Sequence, residues 1–180
     1  MVMADNKSTD SSFSADWISP ANIGIIGFGI VGQALAFGFS QKDIASKYTI
    51  RYYDKFKEST PLDQVITDSE FIFVCLPTPM KKDESGIDLS IVEDCIDQMT
   101  KLTNNTDKII VLKSTIVPGT TKKFEEKYPK TNFAFVPEFL TEANYLQDFL
   151  NADRTVVGAN NDLTSRRVIS LFRQRFPTQK

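Results

Sequence analysis

The sequence predicts an α/β fold, a mostly parallel sheet with helices wound on both sides, and three observations carry that prediction. Apolar runs of strand length alternate with segments of helical periodicity from Ala21 to the C-terminus. The first run passes directly into a glycine-rich turn and an apolar helical stretch. Several later runs end in Pro, Ser, Thr or Glu, where loops would leave the sheet.

The elements follow in order. Ile23, Ile25 and Ile26 form a short apolar run, as a parallel strand buried on both faces requires. Gly27, Gly29 and Gly32, with Phe28, Ile30 and Val31 between them, then fit G-x-G-x-x-G, and Ala34, Leu35, Phe37, Gly38 and Phe39 continue as a helix. In such a loop the first glycine permits the tight turn and the second lets backbone approach a pyrophosphate. The third lets helix and strand pack closely. A helix N-terminus there favours anionic phosphates. A second strand, Tyr48 to Tyr53, ends at Asp54, 22 positions beyond Gly32. An acid about 20 residues on is the partner expected for the ribose of a bound dinucleotide. The fold expected is therefore Rossmann-type, doubly wound and mostly parallel.

Further strands are expected at Phe71 to Leu76, Lys108 to Leu112, Asn132 to Val136 and Thr155 to Gly158. Leu89, Val92, Cys95, Ile96, Met99 and Leu102 repeat at helical spacing behind Asp88, a natural N-cap. Other helices are expected from Thr120 to Tyr128, before Pro129, and from about Leu163 to Phe176. Residues 1–20, rich in Ser, Asp and Asn, read as a disordered tail, leaving 21–180 as one domain.

Composition narrows the chemistry. Of 180 residues, 41% are hydrophobic and 24% charged, and the net charge of −2 makes no case for nucleic acid or an anionic membrane as partner. The arginines Arg166, Arg167, Arg173 and Arg175 alternate with apolar residues at helical spacing, as on the solvated face of a helix. With no histidine and two cysteines, a metal site has few ligands and Ser–His or Cys–His catalysis has no base. Cys75 and Cys95 lie in apolar runs and read as buried small hydrophobes. No secretory signal or membrane-length apolar segment is seen, so a cytoplasmic location is expected.

Ligands of open parallel sheets bind beyond the carboxyl ends of the strands. There the sequence places Pro77-Thr78-Pro79, then Lys113-Ser-Thr-Ile-Val-Pro-Gly-Thr120, then Pro137-Glu-Phe-Leu-Thr-Glu142. The prolines stiffen the loops, and Thr78 and Thr115 offer hydroxyls. Glu138 and Glu142, four apart, would share one face of a helical turn and assist proton transfer.

Together, Ile26-Gly-Phe-Gly-Ile-Val-Gly32, Cys75-Leu-Pro-Thr-Pro79, Lys113 to Thr121, Pro137 to Glu142 and Asp148 to Gly158 resemble the N-terminal domain of the UDP-glucose/GDP-mannose dehydrogenase family. That family oxidises the primary alcohol of a nucleotide sugar to a carboxylate with two NAD molecules in succession. The resemblance implies that Gly27, Phe28, Gly29, Ile30, Val31 and Gly32 bind the NAD pyrophosphate and Asp54 the adenosine ribose. Lys55 and Lys57 temper the discrimination of that acid against NADP. Pro77 and Thr78 would lie beside the cofactor. Thr115 would line the nicotinamide site and help hold the catalytic water, with Glu138 nearby and Glu142 linked to thioester hydrolysis. Phe139 and Leu140 match a segment that meets the sugar nucleotide.

The family's nucleophilic cysteine, its catalytic lysine, asparagine and aspartate, and its central and C-terminal domains have no counterpart in these 180 residues. Catalysis is therefore expected to be incomplete in this chain alone, with a UDP-sugar as substrate once a complementing chain or homo-oligomer supplies that half. The segment from Lys55 to Ser69 is shorter than usual in the family, Thr141 stands where arginine is common, and Ala143 where glycine is common. A β-hydroxyacid dehydrogenase-like domain shares the glycine loop but expects Ser-Gly-Gly where this chain has Pro137-Glu-Phe-Leu140. A non-catalytic NAD-binding or interaction module is the remaining alternative.

Overall fold

The structure, a computed structural model, describes residues 21–41, 47–104 and 106–179. The expected tail at 1–20 lies outside the described residues. Strands β1 (Ala21–Ile26), β2 (Tyr48–Tyr53), β3 (Phe71–Val74), β4 (Ile109–Leu112) and β5 (Asn132–Phe135) form one sheet in the order β2-β1-β3-β4-β5. Every pairing is parallel. The Rossmann-type, doubly wound class is thus observed. The register sets Ile26, Tyr53, Val74, Leu112 and Phe135 side by side in one row. All five loops that follow the strands therefore leave from a single edge.

The two faces of the sheet follow from a side-chain period of two. Ile23, Ile25, Phe71, Phe73, Ile109, Val111 and Ala134 pack under helices α1 (Ile30–Phe39), α5 (Tyr145–Leu150) and α6 (Asp162–Arg175). Ile26, Ile72, Val74, Ile110, Leu112 and Phe133 pack under α2 (Leu62–Asp68), α3 (Ser90–Thr103) and α4 (Thr120–Lys127). In the first core Phe39 stands edge-on to Tyr48, Phe172 and Phe176. These residues are fully or nearly fully buried, and apolar burial of this kind is the main force holding helices to sheet.

Several expectations are corrected. Thr155 to Gly158 is not a strand: a single antiparallel bridge joins Gly158 to Phe135, through bonds of 2.7 and 2.8 Å. Glu138 and Glu142 do not share a helical face, because Pro137 to Thr141 runs without helical structure and only turns at 142–144. Helices α2 and α5 were unforeseen, being seven and six residues long, too short to display a period. The N-cap of α3 is Leu89 rather than Asp88, which stands one residue earlier and whose Oδ1 accepts the Ser90 N–H at 2.9 Å.

Candidate cofactor site at the carboxyl edge of the sheet

In the order β2-β1-β3-β4-β5 the chain leaves β1 in one direction and returns to β3 on the other side. The loops after β1 and β3 consequently diverge and open a crevice, the place where open sheets of this type bind ligands. Gly27 to Gly32 and Leu76 to Pro79 flank it. Gly27 takes a φ of +91°, and a Cβ on it would meet the Cys75 carbonyl oxygen at 2.6 Å. A Cβ on Gly32 would come within 2.2 Å of the Gly27 carbonyl oxygen, so helix α1 can reach the strand only with glycine there. Gly29 differs: a Cβ on it would meet nothing within 4 Å. The space above Gly29 faces the N-terminus of α1, where the N–H groups of Ile30, Val31 and Gly32 have no carbonyl one turn back to bind. No acidic residue sits in that first turn. A dinucleotide pyrophosphate fits such a position, held by backbone donors and the helix dipole.

Phe28 is fixed from three sides. Its ring stacks on Tyr52, centroids 3.8 Å apart and planes 13° from parallel. Its N–H donates to Asp54 Oδ2 at 2.8 Å, and its carbonyl oxygen accepts from Lys57 Nζ at 2.5 Å and Gln33 Nε2 at 3.1 Å. Asp54 Oδ1 also accepts Phe56 N–H at 2.9 Å. Burial raises the Asp54 carboxyl, but these two N–H groups and the Lys57 charge outweigh it and hold the acid below the ordinary carboxylate value. Asp54 is thus an ionised acceptor bonded to the glycine loop at the end of β2.

Beyond β3, Thr78 is partly buried and Pro77 and Pro79 are exposed. Beyond β4, Ser114 is buried, and its hydroxyl donates to the Leu76 carbonyl at 2.7 Å, joining the loops after β3 and β4. Thr115, the next residue, is exposed at the same edge. Lys113 is buried: its Nζ lies 2.9 Å from Glu138 Oε2, 3.5 Å from the Val136 carbonyl oxygen and 5.8 Å from the centre of the Phe149 ring. Glu138 Oε1 accepts Phe139 N–H at 2.9 Å, and Oε2 makes the charge contact without an aligned hydrogen bond. The sequence signal for Lys113 was a charge placed directly after a fully apolar strand, which must find a buried partner.

Phe139 is exposed and Leu140 partly buried, in a loop secured by Asp148, whose Oδ2 accepts both Thr141 N–H at 2.8 Å and Thr141 Oγ1–H at 2.5 Å. Those two bonds hold the Asp148 carboxyl below its ordinary value. Glu142 is exposed, in the turn at 142–144, and does not share a helical face with Glu138 as their spacing suggested. Burial pushes the Cys75 thiol up to about 12, against the nearby Lys113 charge and with that of Glu138, and burial alone pushes Cys95 up to about 12. Neither thiol is set up as a nucleophile. Among the described residues no group of three or more His, Cys, Asp or Glu stands together to hold a metal ion, and no helix is long and apolar enough to cross a membrane.

Comparison with known proteins identifies the family. Residues 46–176 match the family described as UDP-glucose/GDP-mannose dehydrogenase family, NAD binding domain. The match begins after the glycine loop and runs through α6. A UDP-glucose 6-dehydrogenase of Rickettsia bellii is 35% identical over 113 residues, 61% of this chain and 26% of the relative. One from Rickettsia felis is 40% identical over 101 residues, 53% of this chain and 22% of the relative. The chain spans about a quarter of the length of these curated relatives. A UDP-glucose dehydrogenase from Pyrobaculum islandicum superposes with a TM-score of 0.70 at 19% identity, covering 89% of this chain and 45% of that one. A GDP-mannose dehydrogenase from Pseudomonas aeruginosa, solved as a ternary complex, gives 0.68 at 19% identity, covering 84% and 44%. At that identity the likeness is one of fold.

Proposed function

The chain belongs to the UDP-glucose/GDP-mannose dehydrogenase family, of which it carries the NAD-binding domain, and we propose that it works as the cofactor-holding part of a UDP-glucose 6-dehydrogenase-like enzyme. In this reading Phe28, Gly29, Ile30, Val31 and Gly32 hold the pyrophosphate, with Gly27 making the turn. Asp54 accepts the adenosine ribose hydroxyl, and Pro77, Thr78 and Thr115 border the nicotinamide. When bound, two NAD molecules in succession would supply the two hydride acceptors that oxidation of a sugar C6 alcohol to the carboxylate level requires.

The chain's own groups orient and move protons. Thr115 offers a hydroxyl to a water or to the reacting oxygen, and Glu138, whose Oε2 lies 2.9 Å from Lys113 Nζ, is the candidate acid–base group at the same edge. Glu142 reaches the solvent side of the same edge, while Phe139 and Leu140 offer backbone groups to a nucleotide sugar. Oxidation past the aldehyde in this family needs a thiolate, and Cys75 and Cys95, both raised to about 12, do not supply one. We therefore assign residues 21–180 to one NAD-binding domain that acts on a UDP-sugar only with a thiol-bearing segment from the same polypeptide or from a partner, in the cytoplasm where both ligands are found.

The observation that carries the cofactor site is the open space above Gly29 at the start of α1. Gly29 has φ −77° and ψ −159°, a conformation open to any residue. Gly29→Val should therefore leave the fold and its melting temperature nearly unchanged while placing two methyls where the phosphates belong. Calorimetric titration should show NADH affinity falling at least about tenfold, the cost of losing one or two charge-assisted bonds. Undiminished NADH binding by folded Gly29→Val overturns the assignment.

A further inference from the structure

Resting on the NAD site assigned above, we propose that Lys57 sets cofactor discrimination, giving this site the ability to accept NADP as well as NAD. Asp54 marks where a ribose 2′-hydroxyl would sit, and an acid alone in that place rejects a 2′-phosphate; a nearby cation accommodates one. Asp54 here does not stand alone. Its carboxylate holds the Phe28 N–H, and the Lys57 ammonium holds the carbonyl of the same residue. The two opposite charges thus bracket one residue of the glycine loop and face one small region.

Three further features single out Lys57. Its side chain is exposed, and an ammonium has three donors, so two remain after the bond to Phe28. Gln33 Nε2 also holds the Phe28 carbonyl, at 3.1 Å, so Lys57 can turn toward a phosphate without leaving that oxygen unpaired. Lys55, the other cation of the segment, lies 5.8 Å from the centre of the Phe56 ring, which is 89% exposed, whereas the Lys57 ammonium lies 5.6 Å from the centre of the Phe28 ring, within the glycine loop itself.

The test measures dissociation constants of NAD and NADP by calorimetry for the wild-type chain, Lys57→Ala and Lys57→Arg, each verified as folded by thermal melting. Loss of a phosphate partner predicts that Lys57→Ala weakens NADP about tenfold and NAD less than about threefold, while Lys57→Arg keeps NADP binding. Equal weakening of both cofactors makes Lys57 only a clip on the glycine loop and overturns the proposal, as does a ratio that does not move. Failure of the wild-type chain to bind either dinucleotide overturns the NAD site itself. NAD binding with an unchanged ratio overturns the role of Lys57 alone.

Discussion

Lys113 is the residue whose placement the chain can least easily change. Its side chain is 2% exposed and its partner Glu138 18%, so removing the ammonium would leave a largely buried carboxylate without compensation. Breaking one side of such a pair costs more than the pair contributes, because the surviving charge keeps its desolvation penalty. Lys113→Met should lower the unfolding free energy in urea by about 2–3 kcal/mol, at the low end of the buried range because Glu138 keeps some water. Adding Glu138→Gln to that variant should recover part of the loss, and a double variant no better than the single one would contradict the pairing. Of the residues in this site, the glycines and Asp54 were legible in the sequence because backbone geometry and strand ends constrain them directly. Lys113 was not, since its partner lies 25 positions away in the loop after β5. The Glu138–Glu142 spacing misled for a related reason. Pro137 and the hold of Asp148 on Thr141 keep that stretch out of a helix, and neither constraint is periodic.

The junction of β1 and α1 shows how one motif contains two different demands. At Gly32 the demand comes from the protein itself, the Gly27 carbonyl oxygen standing 2.2 Å from any added Cβ. At Gly29 nothing in the protein lies within 4 Å of an added Cβ, and the demand is the one the proposed ligand would make. Gly32→Ala should thus destabilise the fold by about 2 kcal/mol or more, as overpacking against backbone that cannot yield does. Thermal melting would show a drop of several degrees in Gly32→Ala before any cofactor is added, in contrast to Gly29→Val. Equal melting temperatures for Gly32→Ala and the wild type would mean that the helix can retreat from the strand. Strands β1 to β5 were readable because burial on both faces demands apolar runs, and α3 and α6 because fourteen residues suffice to display a period. Helices α2 and α5 are placed by the sheet they cover rather than by their own sequence. The run at Thr155 to Gly158 has strand composition, but Val156 is 45% exposed and only Gly158 pairs with β5.

The sheet divides the molecule into two cores, and each cysteine reports on one of them. Cys75 packs against the core under α1, α5 and α6, and Cys95 against the core under α2, α3 and α4. With both thiols pushed up to about 12, only about one molecule in ten thousand would carry either thiolate at pH 8 in the native state. Alkylation by iodoacetamide should then proceed through opening, where the thiols return to ordinary acidity. A central sheet shared by both cores implies one cooperative unit, so the two cysteines should label at the same rate, and that rate should rise together with urea. NADH bound at the proposed carboxyl-edge site would stabilise the folded state, so at about one hundred times its dissociation constant it should slow both labelling rates by about one hundredfold, provided closing outpaces alkylation. Peptide mapping after a labelling time course separates the two sites. Faster labelling of Cys95 that NADH leaves untouched would show α3 opening independently of the cofactor edge, and would contradict a single folding unit built around the shared sheet.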